Sequence, residues 1–205
     1  MKFIDKTCSD FIDALSSKEA VPGGGGASAL LGALSAALGM MVCNLTVGKQ
    51  KYADVQDDIL QVLNKAEALK SELLHLVDED AACFKPLAQA YGIPKDDHRR
   101  GQILEDALKL ACTVPMDIMR LCADAVLLHE ELLEKGSRLA LSDVGVGVIF
   151  CKAALQGAAL NVFINTKTMK SREYASLLDA EANGLLDKHC ALADKIYEEV
   201  TAKLK

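Results

Sequence analysis

A chain of 205 residues is long enough to bury one substantial core without disulfide or metal staples. Its net charge of −6 is spread through the sequence, and aromatic residues make up only 4 % with no Trp, which excludes a basic nucleic-acid face and a base-stacking platform. The seven cysteines are scattered singly, with no Cys-x-x-Cys. Apolar neighbours around Cys43, Cys112, Cys122 and Cys151 read as buried thiols of a reducing, cytoplasmic compartment. The opening MKFIDKTCSDF is charged and amphipathic, unlike a secretory signal.

The periodicity is helical throughout, and no segment alternates with the period of a strand. A short amphipathic helix is predicted over 6–17, through Phe11, Ile12 and Leu15. Pro22 and four glycines, Gly23 to Gly26, then form a loop that opens a charge-free helix over 26–47. That helix is built from Ala, Gly, Ser and Leu, so another backbone or a flat ligand must lie close against it. A long third helix spans 55–91, with apolar positions at Ile59, Val62, Ala66, Leu69, Leu73 and Leu76, then Asp80, then Phe84, Leu87 and Tyr91. A fourth spans 97–134, with Asp96 or Asp97 as N-cap and Gly136 as C-cap. Pro86 and Pro115 are expected to kink these two helices. Ser142-Asp143 reads as the N-cap of a fifth helix over 143–166, and a last amphipathic helix covers 171–203.

The fold expected is an all-α, single-domain bundle of about five to six antiparallel helices over residues 1–205, some long and kinked. Residues 27–47 and 144–165 approach the length of a membrane span. The second carries Lys152 and Gln156 at its centre, and neither has aromatic belts, so both read as buried core helices and no membrane partner is expected. The four histidines show no HxxxH spacing, and Glu72-Leu73-Leu74-His75 is a lone ExxH, so no metal is expected.

Several residues stand out chemically. A helix N-terminus rich in glycine offers free N–H groups to an anion, but the same glycines also serve tight turns and close packing, and the residues alone do not decide between these. Asp80 interrupts an apolar stripe, where a carboxylate is costly unless paired, hydrogen-bonded or protonated. Lys49 and Lys51 suit a helix C-terminus as well as they suit an anionic ligand. Asn161 and Asn165 share one face with Ala154 and Ala158, where amides either bridge helices or read the edge of a heterocycle.

The run through Phe11, Pro22-Gly-Gly-Gly-Gly, Gly32-Ala33-Leu34, Met41-Val42 and Leu45-Thr46-Val47-Gly48-Lys49 resembles the formiminotetrahydrofolate cyclodeaminase / methenyltetrahydrofolate cyclohydrolase family. Val77 to Phe84, Val114-Pro115, Ser142-Asp143 and Asn161 to Asn165 follow in the family's order, so the resemblance covers about residues 11–194. It implies a folate one-carbon enzyme whose substrate carrier is tetrahydrofolate, with no metal. It further implies substrate contacts at Gly24, Gly25 and Gly26, a catalytic carboxylate at Asp80 or Asp143, Lys49 as anion binder or proton donor, and Asn161 and Asn165 orienting the pterin. The family often carries Gly-Asn-x-Asn before Ser-Asp, where this chain reads Gly136-Ser137-Arg138-Leu139-Ala140, so Arg138 is a candidate substitute contact for a carboxylate.

Gly26 and Lys49 lie at opposite ends of one helix, ~30 Å apart at 1.5 Å per residue. An antiparallel homodimer would bring them together and place the site near the interface. The 205 residues show no transferase region, so either a separate formiminotransferase as partner or the cyclohydrolase role is expected. The rival reading is a non-catalytic helical dimer, either a folate-binding accessory subunit or a scaffold, which would not need Asp80 in an apolar face.

Overall fold

The computed structural model describes residues 2–205 and is an all-α bundle. Its helices are α1 (Cys8–Leu15), α2 (Gly24–Asn44), α3 (Gln56–Tyr91), α4 (Arg100–Lys135), α5 (Leu141–Thr166) and α6 (Arg172–Leu204), with no strand among the described residues. Consecutive long helices pack side by side, and α2 also lies along α5, so α2 and α5 form the middle of the bundle.

Small residues explain that placement. Ala29, Ala33 and Ala36 of α2 and Ala154 and Ala158 of α5 are almost fully buried, and with so little side chain the two backbones approach closely. Larger residues of α3 and α4 fill the space around them, with Leu73, Met116, Ile118 and Met119 shut from solvent. A second cluster, around Ile59, Leu132, Val148 and Ile196, fills the opposite half. A third, around Leu87, Leu108 and Met169, closes the end beyond the α5–α6 turn. That turn is tied by Glu105, whose carboxylate accepts the amides of Lys170 (2.7 Å) and Ser171 (3.0 Å).

Several boundaries differ from the sequence expectation. Gly24, Gly25 and Gly26 are the first turn of α2 rather than a loop. Asp97 is not the cap of α4; its side chain accepts the Arg99 amide in a turn just before the helix. Asp143 is not a cap either, because a 3-10 turn at Arg138–Ala140 starts α5 earlier and leaves Asp143 inside its first turn. Tyr91 is half-exposed at the end of α3, where the stripe runs out. Pro86 and Pro115 sit inside uninterrupted helices.

The two most apolar helices, α2 and α5, are only partly buried. Both are long and apolar enough to cross a membrane, yet each buries one side against the bundle and leaves the other open. Leu34 and Met41 on α2, Leu45 just after it, and Val146, Ile149, Leu160 and Ile164 on α5 are exposed. Among buried thiols, Cys43 is pushed up to about 11 and Cys112 and Cys151 to about 12, because burial disfavours the thiolate.

Candidate active site

The first turn of α2 meets α3 at Asp80. The Gly26 amide donates to Asp80 Oδ2 at 2.9 Å, so one orphan N–H of the helix start is satisfied by the chain's own carboxylate. The amides of Gly24 and Gly25, in the same turn, have no carbonyl one turn earlier within the helix. Gly25 is glycine for a steric reason: a Cβ there would land on the Asp80 carboxylate. Asp80 is largely buried, and burial pushes its pKa above the ordinary carboxylate value, against the opposing pull of the Gly26 hydrogen bond.

From α5, Asn161 and Asn165 face the same place. Asn161 Nδ2 donates to the Gly157 carbonyl at 2.9 Å, and Asn165 Nδ2 donates to the Ala111 carbonyl of α4 at 3.2 Å. A Cβ on Gly24 would come within 3.3 Å of the Asn161 amide, so the α2 start and Asn161 of α5 are in contact range.

Together these groups line a cavity of about 240 Å³, walled by Val21, Phe84, Pro115 and Ile164. Larger depressions exist elsewhere, including one of about 580 Å³ between α3 and α4, but it is lined mainly by Leu69, Leu121, Leu127 and Leu128 with a few rim charges. The smaller cavity is where a buried carboxylate, two anchored amides and a helix start converge, which is what a polar reaction needs. Val21 joins it because the N-terminal segment folds back over α3, with the Phe3 amide donating to Asp78 Oδ1 at 2.6 Å.

Six sequence candidates are therefore gathered: Gly24, Gly25, Gly26, Asp80, Asn161 and Asn165. Three are not. Lys49 lies beyond the C-terminus of α2, and Arg138 and Asp143 lie at the start of α5, at the opposite end of the bundle. There the Arg138 amide donates to the Tyr52 hydroxyl at 3.1 Å, so Lys49, Tyr52 and Arg138 share one exposed corner. The apolar walls Phe84, Pro115 and Ile164 were absent from the sequence candidates; only their helical register relative to Asp80, Ala111 and Asn161 could have signalled them.

The sequence matches the formiminotransferase-cyclodeaminase family over residues 7–184. The chain belongs to that family. It is 42 % identical over 204 residues to the methenyltetrahydrofolate cyclohydrolase of Methylorubrum extorquens, covering 98 % of each chain. It is 29 % identical over 170 residues to the formimidoyltransferase-cyclodeaminase of Mus musculus, covering 81 % of this chain but only 31 % of that protein. In three dimensions it resembles the formiminotetrahydrofolate cyclodeaminase of Thermotoga maritima, with a TM-score of 0.82 and 28 % identity over 96 % of this chain and 94 % of that one. The family membership and the all-α bundle thus agree with the resemblance seen in the motifs.

Proposed function

We propose that this chain is a methenyltetrahydrofolate cyclohydrolase, a cytoplasmic folate enzyme that acts as a homodimer. One observation carries the proposal: an end-to-end match at 42 % identity to a cyclohydrolase of the same length, in a chain that buries Asp80 in a cavity. The substrate's methenyl bridge is a cationic, amidinium-like centre. Asp80 stabilises that cation and takes a proton from the attacking water, and Asn161 and Asn165 orient the pterin. Water forms the new C–O bond, the C–N5 bond then breaks, N5 keeps a proton, and one proton leaves with the net positive charge. The product is 10-formyltetrahydrofolate.

A cavity of about 240 Å³ accommodates a bicyclic head but not a whole folate with its glutamate tail. The tail must therefore lie outside, where its carboxylates need cations. Lys49 and Arg138 supply cations at the far corner, and the uncovered apolar faces of α2 and α5 run between that corner and the cavity. A two-fold dimer through those faces, with α2 antiparallel to its copy, sets the partner's corner beside the cavity. Asp143 then acts on the substrate only across the subunit boundary. The seven unpaired cysteines support a reducing compartment.

A second reading has its own support. The likeness to the Thermotoga maritima cyclodeaminase covers nearly the whole chain, which favours ammonia release from 5-formiminotetrahydrofolate, with a separate formiminotransferase supplying that substrate. The two are separated by following the methenyltetrahydrofolate absorbance band with purified protein. Enzyme-dependent decay from 5,10-methenyltetrahydrofolate identifies the cyclohydrolase. Growth of the band with ammonia release from 5-formiminotetrahydrofolate identifies the cyclodeaminase. If a folded dimer moves neither, the accessory-subunit or scaffold reading replaces both. Asp80→Asn should lower turnover about 10²- to 10⁴-fold while sparing the fold.

A further inference from the structure

The hydrogen bonds around the cavity fix which way each polar side chain faces. A backbone carbonyl can only accept, so the Asn161 and Asn165 contacts to Gly157 and Ala111 must come from their NH2 groups. Each amide therefore spends a donor on the protein and keeps its carbonyl oxygen in reserve. Asp80 likewise spends Oδ2 on Gly26 and keeps Oδ1. Among the described residues, the cavity lining contains no Lys, Arg or His. Its donors are the first-turn amides of α2, whose partial charge of roughly +0.5 is outweighed by an ionised carboxylate.

We infer that this cavity selects folates by the charge of their one-carbon unit, with Asp80 as the charge-reading group and Asn161 and Asn165 as acceptors for the ligand's N–H groups. The inference rests on the folate reading above and extends it to specificity. Both family electrophiles are cations: the 5,10-methenyl bridge is an amidinium, and the 5-formimino group is a protonated amidine. A 5-formyl group has nearly the shape of the 5-formimino group, with a neutral oxygen in place of NH2⁺. Asp80 distinguishes the two by Coulombic attraction in a site that excludes much of the solvent.

The same logic sets the direction of product release. Water addition converts the cation to a neutral carbinolamine, with the released proton passing to Asp80 or to solvent. The neutral 10-formyl product loses the attraction that held the substrate. A bound cation pulls the Asp80 pKa down, and its disappearance lets burial push it back up, so the carboxylate accepts a proton as the charge vanishes.

The test compares 5-formiminotetrahydrofolate with 5-formyltetrahydrofolate as ligands of the intact protein, by competition against methenyltetrahydrofolate turnover and by equilibrium dialysis. The wild-type protein should favour the cation by tenfold or more. In Asp80→Asn, measured by dialysis and verified as folded by circular dichroism, the ratio should fall to near one. Asn161→Asp should keep or increase the cation preference, whereas Asn161→Leu should weaken both ligands alike. Equal affinities in a wild-type protein that turns over methenyltetrahydrofolate overturn the inference and leave the folate assignment standing. So does a preference that survives Asp80→Asn. Failure of both folates to bind, together with no turnover, overturns the assignment and the inference with it.

Discussion

Two polar clusters lie between α2 and α5, and they differ in whether their unused atoms belong to residues that line a cavity. At the centre, Ser35 Oγ sits 2.9 Å from His129 Nε2, 2.7 Å from the Gly147 carbonyl and 2.6 Å from Cys151 Sγ. A serine hydroxyl has one donor and two acceptor positions, and all three are filled if it donates to Gly147 and accepts from the imidazole N–H and the thiol. The cluster ties α2, α4 and α5 together, and none of its four residues lines the large depressions. At the end of the same two helices, Asp80, Asn161 and Asn165 each bond once to the backbone, keep one oxygen unbonded among the described residues, and line a cavity. In the central cluster the one atom without a partner among the described residues, His129 Nδ1, is shut in the core, so the cluster specifies packing; at the helix end the spare capacity belongs to residues that line a cavity, where a ligand can use it.

The sharpest way to break that contrast is to crowd the second cluster. Gly25→Ala forces a methyl group onto the Asp80 carboxylate, so the carboxylate must swing away from both Gly26 and the cavity. Turnover should fall about 10²-fold or more, because loss of a preorganised charge removes several kcal/mol of transition-state stabilisation. The melting temperature should change little, since the displaced group gains access to water. Unchanged turnover in Gly25→Ala would remove Asp80 from the mechanism.

Acid tests the first cluster. Burial holds the His129 pKa down at about 4 against an ordinary 6.5, and protonation would add an N–H at Nδ1, a buried atom with no partner among the described residues. Ser35 faces it, Cys151 lies behind Ser35, and neither carries a charge at neutral pH. The unfolded chain takes the proton near pH 6.5 and the folded chain refuses it until about pH 4. Stability is therefore fully present above 6.5 and declines as pH falls through that window, by about 3 kcal/mol. Urea unfolding at a series of pH values should show the decline in wild type and a shallower one in His129→Leu. Parallel curves would mean that other groups control acid sensitivity.

Gly147→Ala presses on the same imidazole from α5, because a Cβ there would overlap the His129 ring. Overpacking of this kind costs about 1–3 kcal/mol. The midpoint of unfolding should drop accordingly, while turnover per folded molecule stays at the wild-type value. A variant that keeps its stability but loses turnover would mean that the central cluster takes part in catalysis.

The helices and the odd placement of Asp80 were legible because both depend on spacing along one segment. Ile59, Val62, Ala66, Leu69, Leu73 and Leu76 are buried as the period requires, and Asp80 continues their line. The helix starts were less legible, since a 3-10 turn or a glycine first turn changes the cap without changing the apolar period. His129 was missed altogether. It stands next to Leu128 on α4, and it is buried only because glycine at 147 and a serine at 35 leave room for a ring and a partner for its N–H. That signal is split among three helices and becomes readable only when they are assembled. Lys49 is the opposite case: helix length alone set it ~30 Å from Gly26, and the structure keeps the two at opposite ends of α2.

Lys49 gives the smallest effect and the most specific one. It is exposed at the far corner of its own subunit, so removing it disturbs neither cluster. If the partner's corner lies beside the cavity, Lys49→Ala should raise KM a few-fold for a folate with its glutamate tail, with kcat and melting temperature unchanged. Exposed charge pairs contribute little individually and are screened by salt, so the effect should shrink at high ionic strength. A pterin substrate lacking the tail should show no difference between wild type and variant. An equal KM increase with and without the tail would place Lys49 at the reacting carbon instead, and a dilution series that dissociates the dimer would then have to abolish turnover rather than merely weaken binding.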